Sequence, residues 1–282
     1  MKITRIALAL ALVCGSFSTS FAQETMTQPR PEPTKAPEPA PMTVDQRQFS
    51  VGLMGAYGMM INGTPGFTLP TVPTCCASYT STGGGGVLVG GVFELPLSSS
   101  LELSTRVLFQ SASTTFTTDE PTTIRVGNTV ESTTLRHTLE SSQGFVFVEP
   151  VAAYRVGGRL DILAGLRVGT VLSATYSQDE RIADPTQPVR FEDGSTIRNA
   201  TSGDLPNKSA LQAGAVIGLR YSLPMNAAGT MQLTPEISYS PMFTNLVSDA
   251  SWTVSPLRIG ASILFSIVKK VEEKSPLRPG KP

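Results

Sequence analysis

Few residues in this chain have the types and spacing that chemistry requires. The single histidine, His137, sits in TTLRHTLESS with Glu140, Ser141 and Ser142 close by. A serine nucleophile, a histidine base and a carboxylate orienter would together suit hydrolysis of an ester or peptide. In an extended strand, however, neighbours at these spacings do not all face one way. The expectation is a polar strand or loop histidine and no catalytic residue. Cys75 and Cys76 are adjacent, with no histidine beside them. That is not a zinc pattern. The pair could rest as thiols, close a strained ring, or link to another chain, but it cannot staple distant segments. The glycine run at 83–86 lacks the following lysine and helix of a phosphate loop. No metal site and no cofactor is expected.

The remaining candidates are charges set among apolar residues. In VLVGGVFELPLSSSLELSTRVLF, residues 87–109, Val87, Val89, Phe93, Leu95, Leu101, Leu103, Val107 and Phe109 share one face. Glu94, Glu102 and Arg106 share the other. The period is two, the signature of a strand with unlike faces. Eight such runs follow one another, at about 48–60, 84–95, 101–116, 133–156, 159–177, 209–223, 230–243 and 257–268. Each reaches the roughly 9–11 residues with which a tilted strand crosses a bilayer. Their connections alternate in length. Short ones lie at Pro96 to Ser100, at Gly157-Gly158 and at Pro224 to Gly229. Long ones cover about 61–83, 117–132, 178–208 and 244–256. In an up-and-down meander this puts all short turns, and both chain ends, at one end of the sheet.

The flanks are of different character. MKITRIALALALVCGSFSTSFA has a basic start, a short apolar stretch and small residues at Ser20 and Ala22. It reads as a secretory signal peptide, residues 1–22, too short to span a bilayer. Its removal takes away two bases and no acid, leaving 20 bases and 22 acids. That near-balance gives no reason to expect nucleic acid as a partner. Residues 23–46 are proline-rich and charged, a disordered periplasmic tether. Residues 269–282 form a polar tail.

Three features indicate that the apolar face is the outer one. The polar face is mainly Gly, Ser, Ala and Thr, small enough for the narrow interior of an eight-stranded barrel. No lysine occurs from residue 47 to residue 207, so the bases there are arginines. Arginine suits paired charge in a confined space, because its planar fork binds a carboxylate through two hydrogen bonds. Finally, aromatic residues sit near both strand ends of the apolar face. Phe49, Phe93, Tyr221 and Phe265 lie toward the short turns, and Tyr57, Phe109, Tyr176 and Phe243 toward the long loops. Such pairs of belts mark membrane interfaces. One run does not settle: Phe145 and Phe147 share the parity of Glu149, and Tyr154 does not. Either a bulge near Pro150 switches the phase or one aromatic set faces inward.

The expected fold is all-β, an eight-stranded antiparallel up-and-down transmembrane β-barrel over residues 47–268. Charges on its inner face must be paired. An interior ionic network is therefore expected among Glu94, Glu102, Arg106, Glu149, Arg167, Arg220, Glu236 and Arg258, closing the lumen.

The chain resembles the eight-stranded outer-membrane barrel family of the OmpA transmembrane-domain type. The resemblance is carried by the signal peptide, the hairpins FELPLSSSLEL and RVGGRLDI, the strands FVEPVAAYR and LTPEISYSP, and the final strand LRIGASILFSIV. It implies residence in the outer membrane of a Gram-negative-type envelope, contact with lipid, and a structural or surface-display role, with surface ligands reached through the long loops. OmpA-type proteins add a peptidoglycan-binding domain behind the barrel, which these 282 residues do not include. Three rival functions remain at this stage: a narrow pore for small solutes, a surface lipid- or peptide-hydrolase using His137, and a soluble periplasmic binding barrel with its apolar face inside.

Overall fold

A computed structural model describes residues 42–63 and 79–273. The signal peptide, most of the proline-rich tether, Cys75 and Cys76, and the tail beyond Glu273 lie outside the described residues.

Long strands dominate: β1 (Met42–Gly63), β2 (Thr80–Pro96), β3 (Leu101–Val126), β4 (Thr129–Gly157), β5 (Leu160–Ile182), β6 (Ile197–Asp204), β7 (Gln212–Tyr221), β8 (Leu223–Pro224), β9 (Met231–Tyr239) and β10 (Thr253–Glu273). Every pairing is antiparallel. The order β10-β1-β2-β3-β4-β5-β7-β9 closes on itself, because β10 also pairs with β9. This is a ring of eight strands. The short β6 hangs on β5, and the two-residue β8 on β9. Closure leaves no open edge, which is what allows a sheet to stand in lipid.

The faces are inverted relative to a soluble barrel. Leu53, Tyr57, Met59, Val87, Phe109, Leu166, Leu219, Ile259 and Phe265 are exposed, Leu53 at 73%. Glu94, Glu102, Arg106, Glu149, Asp161, Arg167, Arg220, Glu236 and Arg258 are by contrast buried on the inner face. Apolar side chains in such numbers are stable outside only against lipid. An even-stranded closed ring, with short turns at one end and prolonged strands and longer connections at the other, is the architecture of an outer-membrane β-barrel. The aromatic belts are in place: Phe49 stacks on Phe93 at 5.7 Å near the short turns, and Tyr57, Phe109 and Phe243 stand exposed toward the long loops.

The structure departs from the sequence reading in five places. Pairing extends past 47–268, since Met42 through Gln46 pair with Glu273 through Lys269. The expected long loop at 117–132 is strand, with β3 and β4 running on to a tight turn at Gly127 and Asn128, where Gly127 has φ 61°. Above the membrane a strand needs no apolar outer face, so the Thr-rich sequence loses the alternation that marks the lower half. The 178–208 connection contains the end of β5 and all of β6. The turn between β4 and β5 centres on Gly158 (φ 54°) and Arg159 rather than on Gly157-Gly158. Tyr176 does not join the outer belt. A bulge where Gly144 meets Ser173 and Phe145 meets Val171 shifts the register, and the phase of β5 reverses. Beyond it Ala174, Gln178 and Glu180 face inward, and Tyr176 is partly buried against the interior apolar cluster. Strand β4 keeps its phase throughout. Phe145 and Phe147 therefore point inward, stacked at 5.5 Å, while Tyr154 faces out.

Candidate functional site

Among the described residues, the barrel lumen gathers the largest set of buried charges. Period-two alternation delivers charges from β2, β3, β4, β5, β7, β9 and β10 onto the inner wall, and they meet in two tiers.

The tier nearer the short turns is built around Arg220. Its Nε donates to Asp161 at 3.0 Å, one terminal nitrogen to Glu102 at 2.9 Å and the other to Glu94. Arg155 adds a donor to Asp161 at 3.1 Å and another to Glu102 at 3.4 Å, and Arg47 pairs with Glu102 as well. Three guanidiniums therefore face three carboxylates, and the tier is neutral.

The second tier lies higher in the barrel. Arg106 grips Glu236 through two hydrogen bonds, at 2.9 and 2.7 Å. Arg258 donates to both oxygens of Glu149, at 2.8 and 3.4 Å. Arg167 places Nε 3.4 Å from the same Glu149 carboxylate, donates Nη2 to Gln110, and lies 3.6 Å over the ring of Phe147. Arg106 also comes within 3.9 Å of Glu149. All five side chains are buried. Here three guanidiniums face two carboxylates.

The structure thus places Glu94, Glu102, Arg106, Glu149, Arg167, Arg220, Glu236 and Arg258 in the lumen, divided between two clusters. Arg47, Arg155 and Asp161 complete the lower one. Arg155 was legible, because it shares the parity of Glu149 along β4. Arg47 was not, because a bulge between Arg47 and Phe49 carries it inward out of phase.

Above the ionic tiers an apolar cluster fills much of the lumen. Met60, Phe116, Leu139, Phe145, Phe147, Leu205, Leu246, Val247 and Trp252 form one buried cluster. Trp252, the single tryptophan of the chain, is fully buried, edge-on to Phe116 at 5.2 Å, and donates its indole N–H to Asn62 at 3.0 Å. Leu246, Val247 and Trp252 come from the connection after β9, which folds over the barrel mouth. Backbone bonds from Leu246 to Trp252 and from Ser209 to Leu246 hold it there. This cap was not anticipated. Its residues lie outside any alternating run, so no periodic signal marks them.

Beyond the cap, the β3–β4 hairpin and the β5–β6 region form an extension with its own small core of Leu135, Ile182 and Val189, flanked by Ile124 and Phe191. His137 lies here, buried, with Nε2 3.1 Å from Glu120. Ser141, on the same face of β4, donates instead to the Thr175 carbonyl at 2.9 Å. The strand places His137 beside a carboxylate and not beside a nucleophile. Glu180 is the register partner of His137 and accepts from Arg198 and from Asn199, the latter at 2.7 Å. Burial pushes its carboxyl up, but those hydrogen bonds outweigh burial and hold it below the ordinary glutamate value. Among the described residues no group of His, Cys, Asp and Glu has the form of a metal site.

No protein-family model matches the chain, and no curated protein does. Among solved structures it is similar to Ail, the attachment invasion locus protein of Yersinia pestis. The match to Ail crystallised with the heparin analogue sucrose octasulfate has 13% identity, covers 77% of this chain and 99% of Ail, and has a TM-score of 0.33. A second Ail structure matches with 12% identity, coverage of 78% and 100%, and a TM-score of 0.33. The outer membrane protease OmpT from Escherichia coli matches with 8% identity, coverage of 81% and 98%, and a TM-score of 0.32.

Proposed function

We propose that this chain is a closed outer-membrane barrel whose work is structural: it anchors in lipid and displays a folded extension at the long-loop end, without catalysis. The observation that carries this reading is the continuity of the lumen filling. Two ionic tiers occupy the lower and middle barrel, and an apolar cluster around Trp252 occupies the upper part. A solute would have to break buried ion pairs, which cost several kcal/mol each to separate, and then pass the packed cluster around Trp252. The strands of the extension outrun the bilayer. With a rise of about 3.3 Å per residue and a tilt near 40°, the 26 residues of β3 reach roughly 65 Å along the barrel axis, about twice the hydrocarbon thickness.

The test is conductance. The folded barrel, inserted into planar bilayers in potassium chloride, should give no steady ohmic channel. A reproducible unitary conductance would replace this reading with that of a narrow pore. Arg106→Ala would then show whether the ionic tier limits the flow.

A further inference from the structure

The two tiers differ in charge, and the difference lies where charge is costly. The lower tier is balanced. The upper one holds Arg106, Arg167 and Arg258 against Glu149 and Glu236, an excess of one positive charge among side chains that are essentially inaccessible. Gln110, the remaining polar partner, is neutral. An uncompensated charge in a low-dielectric interior is costly enough that native structures pair it.

The excess falls on particular atoms. Arg106 is saturated by the two-toothed contact with Glu236. Arg167 and Arg258 share one carboxylate, Glu149. Neither Nε nor Nη1 of Arg167 makes a protein hydrogen bond, nor does Nε of Arg258. Beside Arg258 in the sheet register, the buried Ser238 hydroxyl is also without a protein partner. One face of the Arg167 guanidinium is covered by Phe147 and its Nη2 is spent on Gln110. What remains without a protein hydrogen bond is Nη1 of Arg167, whose Nε stands 3.4 Å from Glu149, and Nε of Arg258, whose terminal nitrogens bind the same carboxylate. A third carboxylate would neutralise the excess, but none is in this tier.

We infer that the upper tier is a binding site for one small monovalent anion, of the size and weak hydration of chloride or bromide, held by the unpaired donors of Arg167 and Arg258 and completing their share of Glu149. Monovalence follows from the excess of one charge. Small size follows from a lumen walled by side chains on every strand. The anion is a resident of the fold and not a permeant, so this inference stands apart from the display reading above.

The experiment is refolding from urea into zwitterionic detergent, in sodium chloride or bromide against sodium gluconate at equal ionic strength. The readout is the temperature at which the compact gel form is lost. Gluconate is too large for the site. Wild type should melt higher in the halides, by roughly 5 °C at a hundredfold excess over half-saturation. Arg167→Gln removes the excess charge and should abolish the halide difference. A wild type indifferent to halide overturns the inference, as does an equal shift in Arg167→Gln, which would mean that the ion acts elsewhere. Should Arg167→Gln fail to fold, wild-type crystals grown in bromide decide the matter: an anomalous peak beside Arg167 and Arg258 supports the site, and a lumen without one refutes it.

Discussion

At the scale of single residues, the arginine-for-lysine bias has a direct structural meaning. Arg106 and Glu236 come from strands on different parts of the ring and meet through two parallel hydrogen bonds. A lysine, a point charge on a flexible stem, cannot reproduce that fork. Loss of one partner leaves the other as a buried, unpaired charge. Arg106→Met or Glu236→Leu should each lower the unfolding free energy by about 3–5 kcal/mol, and the double variant by clearly less than the sum. Urea titration in phospholipid vesicles, read through the fluorescence of Trp252, measures this without an added label, because the chain has a single tryptophan. Additive losses would show that the two groups act independently. Glycine positions follow the same logic of close fit. A Cβ on Gly85 would collide with the Tyr57 hydroxyl, so the ring of a belt tyrosine occupies the space that the glycine run leaves open.

At the scale of elements, what the sequence revealed depended on where each element sits relative to the membrane. Between lipid and lumen the two faces differ sharply, so runs such as 101–109 and 257–267 announce both strand and facing. Once the strands leave the bilayer the contrast fades. Ser111, Ser113 and Thr115 follow Val107 and Phe109 on the outer face of β3, and the strand continues to Val126 without the alternation that marked its lower half. Strand-five phase was hidden for another reason: a single-residue bulge leaves the composition unchanged and reverses every later side chain. The ionic residues were legible because burial penalises charge so strongly that each one must be explained. The Trp252 cap was not legible, because tertiary folding of an irregular segment leaves no period. The β5–β6 contact yields a pH prediction. Glu180 is held below its ordinary value by Arg198 and Asn199, so its contribution is present above the unfolded glutamate pKa, about 4.3, and is lost as pH falls through the lower folded value. Hydrogen-exchange protection at residues 197–204, taken relative to the intrinsic rate at each pH, should therefore fall below pH 4 while protection in the ring strands is unchanged. In Glu180→Gln the low protection should be present already at neutral pH. Acid-independent protection in the wild type would mean that the carboxylate does not secure β6.

At the scale of the whole molecule, the governing fact is that one chain meets three environments in succession along its strands. On the outer wall the apolar stretch of β3 ends at Phe109, yet its partner β4 carries exposed Glu140 and Arg136 further up, and Arg136 there pairs with Asp119 across the sheet at 2.8 Å. An ion pair on the outer wall is compatible with water and not with hydrocarbon. The change from Val and Phe to Ser, Thr and charge therefore marks where the bilayer ends. This fixes the depth of the barrel through a comparison of two lysine substitutions. Ile263 faces outward in the middle of β10, flanked in register by Leu53 and Leu233. Ile263→Lys should destabilise the barrel in vesicles by roughly 2–4 kcal/mol, the cost of a lysine near the bilayer midplane. Ser113 is exposed two turns of the pleat beyond Phe109, and Ser113→Lys should cost about 0–1 kcal/mol, as at an interface or in water. In detergent-free refolding the first variant should also insert more slowly, since a charge must cross the hydrocarbon region with its strand. Equal costs at both positions would place Ser113 in lipid and raise the upper membrane boundary into the extension. A neutral Ile263→Lys would mean that the exposed apolar belt does not face lipid at all, and the inverted barrel itself would have to be abandoned.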